Sequence, residues 1–185
     1  MPTRTVETSP QRKSLETVRA DLAVLLPLTI AAGFAVAFGD VLGVIDANGF
    51  GRRRTRTTVD TTAFATTSTT GKVADASLFK DGDVLKNAAG ATIGTIAVGG
   101  VNLTTRVITL AANAAVAVAD GAAVLGADGS QIAKALSDAG SDGVGNTPID
   151  VMVAGYVNES LVNGLDSTAK TELGGTSTIN GVFKF

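Results

Sequence analysis

The sequence predicts a mainly β fold. It includes a small β unit over residues 78–125, one short C-terminal helix and a polar N-terminal arm. Three observations predict it. Short apolar runs alternate with turn residues about every eight to twelve positions, the spacing of small barrels and sandwiches. Small and β-branched residues dominate: Ala, Gly and Thr contribute 29, 22 and 24 of the 185 residues, and Val, Ile and Leu together another 44. Helix start signals occur at only two places, Ser14 and Asp166.

Residues 1–20 are polar and carry Pro2 and Pro10, too little apolar surface to offset their own ordering entropy. Residues 14–26 have the pattern of a helix capped by Ser14 and ended by Pro27. Residues 41–45 read as a strand leading into Asp46-Ala47-Asn48-Gly49, and Asn-Gly is a strong hairpin signal. The return strand is expected from Phe50 to about Val59. Nine Thr fall between positions 55 and 70, which reads as an extended, solvent-facing stretch.

Residues 78–125 read as a β unit of their own. Strands are expected near Val84, over 92–98, 106–110, 114–118 and 121–124, with turns at 87–90 and at Gly99-Gly100. Residues 132–136 are too short for their period to decide between helix and strand. Residues 137–148 read as loop, and 149–157 as the clearest strand. Asp166 then caps a helix over 167–173, with Gly174 in the C′ position. Phe183 and Phe185 share one face of a last strand.

The composition argues against catalysis. There is no His, no Cys and no Trp. His is the usual proton carrier near neutral pH, and Cys is the readiest nucleophile. Together they supply most zinc, haem and iron–sulfur ligands. The expectation is a protein that works by shape and contact, with no catalytic, cofactor-binding or metal-binding residues. The 53 large apolar side chains (Val, Ile, Leu, Phe and Met) provide a core, but a thin one, and this favours stabilisation by self-assembly. Charge is unevenly placed. Residues 1–56 hold eight Lys/Arg and five Asp/Glu, and residues 57–185 hold seven and twelve. That asymmetry suits head-to-tail contact between copies or binding to an acidic partner.

Residues 22–38 are uncharged and contain Ala35-Val36-Ala37, which has the form of a signal-peptide cleavage site. The preceding residues mix both charges, and Pro27 and Gly33 interrupt the apolar run. An uncleaved segment and no transmembrane helix are therefore expected.

Other motifs are weak. Gly49-Phe50-Gly51-Arg52 begins like a dinucleotide loop but lacks the third glycine. Gly71-Lys72 lacks the flanks of a phosphate loop. Asp81/Asp83 and Asp138/Asp142 have oxygen ligands but not calcium-loop spacing, and read as turn chemistry. Arg52-Arg53-Arg54-Thr55-Arg56 is the densest charge in the chain. It reads first as a solvated strand face and second as a contact for an acidic protein surface. Without stacking aromatics or a recognition helix, it is not read as a nucleic-acid site.

Three pieces together resemble the head decoration (capsid cement) proteins of tailed bacteriophages, the family typified by the lambda head decoration protein D. They are residues 37–45 with Asn48-Gly49; residues 149–157 running into Asn158-Glu159-Ser160; and residues 164–175 with the ending 181–185. The resemblance implies a small barrel or tulip-like β core, a homotrimer on the outer surface of the phage head, and an N-terminal arm touching the major capsid protein. It implies no active site. The expected organisation is a capsid-binding arm at 1–21, a decoration-protein core at 22–74 and 128–185, and an inserted barrel at 75–127.

The function expected is therefore a structural virion protein that stabilises the capsid by bridging major capsid protein subunits at local three-fold positions. Its partners are the capsid protein and its own copies, with no cofactor, nucleic acid or membrane. Arg4, Arg12, Lys13 and Arg19 are the first candidates for capsid contact, and Arg52, Arg53 and Arg54 the second. The alternatives are an exported bacterial surface or adhesion module cleaved near Ala37, and a glycan-binding module. One Tyr and no Trp make the glycan reading poor.

Overall fold

The computed structural model describes residues 24–174 and 183–184. They form twelve strands and one helix. The strands are β1 (Val24–Ile30), β2 (Val41–Val44), β3 (Gly51–Arg53), β4 (Arg56–Thr58), β5 (Thr70–Lys72), β6 (Val84–Asn87), β7 (Thr92–Asn102), β8 (Val107–Leu110), β9 (Ala123–Gly126), β10 (Ala135–Ser137), β11 (Thr147–Tyr156) and β12 (Phe183–Lys184). The helix α1 is Ser167–Gly174. The mainly β class expected from the sequence is the one observed.

Strand order divides the chain into two units. In the first, β1, β3, β2, β10 and β11 follow one another and β11 pairs back onto β1, closing a five-stranded barrel; β12 adds to β11 in parallel. Alternation along each strand sends one set of side chains inward and the other outward. Ile30, Leu42, Ala135, Ile149 and Val151 form the inner set. Val41, Leu136 and Met152 are cross-strand neighbours on the opposite face, where Ala169 and Leu173 of α1 cover them.

The second unit is a rolled sheet in the order β4-β9-β6-β7-β8-β5. Just past its two edge strands, Val59 pairs with Val73 and Ala74 N–H donates to Thr58 C=O at 2.8 Å, which draws the edges together. Its core runs from Val59 to Val124 around Phe64, Leu85, Ile93 and Ile108, all fully buried. The unit is thus wider than the inserted barrel expected at 75–127. Residues 56–74, placed with the first unit from the sequence, supply β4 and β5 here.

Several local expectations are corrected. Val24, Leu25 and Leu26 are strand, not the end of a helix, and β1 passes through Pro27. The ladder explains why Pro27 is tolerated. Ala31 N–H donates to Gly51 C=O at 2.9 Å, so residues of the same parity, Thr29 and Pro27, turn their N–H positions toward the β3 side and away from β11. A missing donor there breaks no bond with β11. The Asn48-Gly49 hairpin forms as expected, with Gly49 at φ 69° and Phe50 N–H donating to Asn48 Oδ1 at 2.8 Å. Its return strand ends at Arg53, because the chain crosses there into the second sheet. The Thr-rich stretch is only partly exposed: Thr55 and Thr57 are buried. Gly99-Gly100 lies within β7, where the register to β8 jumps between Ile96 and Val101 and leaves a bulge. Residues 114–118 contribute one bridge, Phe64 to Val118, and no strand. The capping role of Asp166 holds: its Oδ1 accepts from Ala169 N–H at 2.6 Å. The helix runs one residue further than expected, through Gly174.

Cleavage after Ala37 would remove β1, which pairs with β11 from Ile30 back to Val24 and places Ile30 fully inside the barrel. A module processed there would lose one of the five strands that close the ring. No helix among the described residues is long and apolar enough to cross a membrane.

Candidate interaction surface and the arginine ladder

The run Arg52-Arg53-Arg54-Thr55-Arg56 lies where the chain leaves the first unit for the second. It is not a solvated face: Arg52 is 1% exposed and Arg54 4%. A guanidinium removed from water needs charged or hydrogen-bonding partners on its edges. Each of these has them within the same chain.

Arg52 Nη2 lies 2.8 Å from Asp83 Oδ2 and donates also to Leu78 C=O, both in the second unit. Its Nη1 lies 2.9 Å from Asp128 Oδ2. The Phe34 ring of the first unit stacks on the same guanidinium, with Cζ 3.7 Å from the ring centroid. Arg53 donates to Ser77 Oγ at 2.8 Å and pairs with Asp75 at 3.1 Å in the second unit, while its Nε lies 3.4 Å from Asp40 in the first. Arg54 turns to the helix. Its Nη1 lies 3.0 Å from Asp166 Oδ2, its Nη2 3.0 Å from Glu172 Oε2, and its Nε donates to Gln131 C=O at 3.2 Å. Arg56 adds a longer contact to Asp166, at 3.8 Å.

Three of the carboxyls in this ladder are held below their ordinary value. For Asp128, burial pushes upward, but hydrogen bonds from Ser130 and the Arg52 guanidinium outweigh it. For Asp75, burial is outweighed by Ser77 and Arg53. For Asp166, it is outweighed by the Ala169 amide with Arg54 and Arg56. Favourable contacts to the charged form win over desolvation in each case.

The ladder therefore staples the two units together and fixes α1 against the first barrel. Arg52 and Arg54 are too deeply buried to meet a partner protein, which corrects their expected role in capsid contact. Arg53 keeps a half-buried side chain engaged by Asp75, Ser77 and Asp40. Of the basic residues that carry the expected charge asymmetry, Arg52, Arg53, Arg54 and Arg56 are paired with carboxylates of the same copy. Asp40, Asp75, Asp83, Asp128, Asp166 and Glu172 are the partners that sequence reading missed. The only signal for them was a compact basic block in an otherwise acidic chain, and that signal does not say which carboxylates come near.

Arg4, Arg12, Lys13 and Arg19 lie outside the described residues. Asp142 Oδ1 accepts from Val144 N–H at 2.9 Å, the turn chemistry expected of it, whereas Asp81 Oδ2 accepts from Gly99 N–H at 2.6 Å, a contact between segments eighteen residues apart. No group of three or more acidic residues among the described residues is placed to hold a metal ion. Between the units, Phe34, Ala35, Phe79, Lys80, Val101 and Leu103 line an open groove of about 550 Å³. Among the described residues, exposed large apolar side chains are isolated in sequence, such as Val98, Leu103 and Val144, except for the consecutive Val24, Leu25 and Leu26 of β1.

Comparison with family models, with curated proteins and with solved structures returns no match to this chain.

Proposed function

We propose that this chain is a capsid decoration protein, a structural virion component that binds the outer surface of a tailed-phage head and stabilises it by bridging major capsid protein subunits. The observation that carries the reading is spatial. The three segments that resemble the decoration family are far apart in sequence, yet they supply β2, β11 and α1 of one unit. Their Val41, Met152, Val157, Ala169 and Leu173 pack into a single buried cluster. Segments that resembled the family by chance would have no reason to share one core. The second unit enters between β3 and β10 as an addition to that body.

The mechanism is mechanical. A shell fails where neighbouring subunits part, and a rigid body seated over the seam resists that parting. The buried arginine ladder supplies rigidity between the two units. The segment before β1, with Arg4, Arg12, Lys13 and Arg19, supplies the capsid contact, by strand addition and charge steering. Several such segments on one homotrimer act together, and avidity raises modest single contacts by about 10²–10⁴.

The test is co-sedimentation with shells assembled from the major capsid protein of the same virion. The full chain is expected to bind saturably and to raise the melting temperature of the shell. A chain lacking residues 1–20 is expected to stay folded and to remain in the supernatant. Absence of binding by the full chain, or undiminished binding by the shortened one, overturns the reading.

A further inference from the structure

Strand β7 is longer than either of its neighbours, and near its end it is paired on one side only. On the first side, β6 starts at Val84, opposite Thr95. The turn at 80–83 carries that side one residue further. Gly82 N–H donates to Ile96 C=O at 3.1 Å, and Ile96 N–H to Asp83 C=O at 2.9 Å. Asp81 Oδ2 then takes Gly99 N–H. On the second side, Val101 lies opposite Ile108 of β8. Ile108 also lies opposite Gly71 of β5, between two bonds to that strand: Leu110 N–H to Thr69 C=O and Val73 N–H to Arg106 C=O. Antiparallel bonds alternate along a strand, so Ile108 directs its N–H and C=O at Gly71 and not at Val101. Val101 therefore turns both of its own backbone groups away from β8. Neither meets a hydrogen-bond partner among the described residues.

This unpaired position opens onto the groove between the two units. The groove holds about 550 Å³, within the range of about 300–1,000 Å³ that encloses most of a small ligand. Val101 lines it together with Phe34 of the first unit and Phe79 and Leu103 of the second. Leu103 is 64% exposed, a large apolar side chain left in water at the groove. Lys80 Nζ stands 4.3 Å from the centroid of the Phe34 ring and has no carboxylate partner among the described residues. Asp81, the one acidic residue on the lining, is engaged by Gly99. The groove thus offers a free pair of backbone groups, an apolar wall and a cation without a counter-charge. Capture of a peptide by strand addition uses these three elements: main-chain bonds give affinity and side-chain contacts give choice. A compact apolar ligand would use the wall and leave Val101 unpaired.

We infer that this groove binds an extended peptide segment of a partner protein. The main chain of the segment pairs with Val101 N–H and C=O. A large apolar side chain packs on Phe34, Phe79 and Leu103, and a carboxylate two positions along, on the same face of the added strand, meets Lys80. The inference names the class of segment and does not depend on whether the partner is a capsid subunit.

The probe is a random heptapeptide library displayed on yeast and panned against the full chain, followed by titration of the synthetic consensus peptide by fluorescence anisotropy. Selection is expected to return an apolar residue with Asp or Glu two positions away. Lys80→Glu and Leu103→Asp, both at exposed positions, are each expected to fold and to weaken that peptide at least tenfold. Lys134→Glu, exposed on the first unit, is expected to leave it unchanged. Amide exchange reads the main-chain pairing separately. Val101 N–H is expected to exchange freely in the chain alone and to slow at least tenfold at saturating peptide. Three results overturn the inference: no enriched consensus, undiminished binding by Lys80→Glu and Leu103→Asp, or a Val101 amide that the peptide does not slow. So does an amide already protected in the chain alone, the result if another part of the chain or a second copy fills the groove. No shell enters these measurements. Peptide binding by a chain that ignores shells would sink the proposed function and leave the groove standing; shell binding with no peptide selected would do the reverse.

Discussion

Asp83 Oδ2 and Arg52 Nη2 meet at 2.8 Å, and through that contact the second unit is tied to the first. Arg52 has a 2% exposed side chain and Asp83 a 13% exposed one, so water compensates little if either partner is lost. Removing one member of a buried pair costs about 3–5 kcal/mol when nothing replaces it. Arg52 keeps Asp128, so Asp83→Ala is expected to cost about 2–4 kcal/mol. Urea unfolding followed by circular dichroism measures it. The single transition is also expected to split in two as the units begin to unfold separately. A loss below about 0.5 kcal/mol, the range of ordinary surface changes, would show that the contact does not hold the units together.

Acid should weaken the ladder in a defined window. Asp75, Asp128 and Asp166 all titrate below the ordinary Asp value of 3.8. A carboxyl depressed by folding adds stability that is complete above its unfolded value and is lost as pH falls toward its folded value. The melting temperature is therefore expected to hold steady from about pH 8 to pH 5, since no His titrates there. Below about pH 4 it should fall. Thermal melts from pH 2.5 to 8 test this. A curve that bends between pH 5 and 7, or stays flat to pH 2.5, contradicts the assignment.

Much of the architecture was legible because it depends on local chemistry. Asn48-Gly49 makes its hairpin, Asp166 caps α1, and residues 149–157 form most of β11, each from residues adjacent in sequence. What was not legible depends on distant partners. Residues 24–26 were expected to be helical because their neighbours, from Ser14 onward, carry helix signals; pairing with β11 decides otherwise. Gly99-Gly100 has the composition of a turn, yet the β7–β8 register absorbs it as a bulge. The arginine run has the composition of a wet surface. It is buried because Asp83, Asp128, Asp166 and Glu172, far along the chain, converge on it. Periodicity reports which face of a strand is apolar, but it is silent on which carboxylate will sit beside a buried guanidinium.

Gly43 tests how closely the chain packs over β2. A Cβ built at this position would stand 2.0 Å from the Ser130 carbonyl oxygen and 2.5 Å from its carbon, both backbone atoms. The Ser130 segment cannot rotate away as a side chain would. It is anchored by the Ser130 hydroxyl, 2.7 Å from Thr55 Oγ1, and by Thr55 N–H donating to Ser130 C=O at 3.1 Å. Gly43→Ala is expected to cost about 3 kcal/mol, at the upper end of overpacking effects. Gly49→Ala, where no atom lies within 4 Å, should cost less and act only through its positive φ. Equal melting temperatures for Gly43→Ala and the parent would show that the segment over β2 is free to move.

Asp166 serves two structures at once, and its substitutions separate them. One oxygen accepts from Ala169 N–H at 2.6 Å, the helix cap; the other lies 3.0 Å from Arg54 Nη1. Asp166→Asn keeps a capping oxygen and loses the charge. Asp166→Ala loses both. The cap is worth about 1 kcal/mol. The ion pair is partly exposed on the Asp side, and Glu172 still faces Arg54, so its loss should add no more than about 1 kcal/mol. Asp166→Ala is thus expected to cost about 1–2 kcal/mol and Asp166→Asn about half of that. Because α1 covers Leu136 and Met152 through Ala169 and Leu173, amide exchange should quicken first at those two helix positions. If both variants lose the same stability, the charge carries the effect and the cap contributes nothing measurable. If neither changes exchange at Ala169, the helix is held by its apolar face alone.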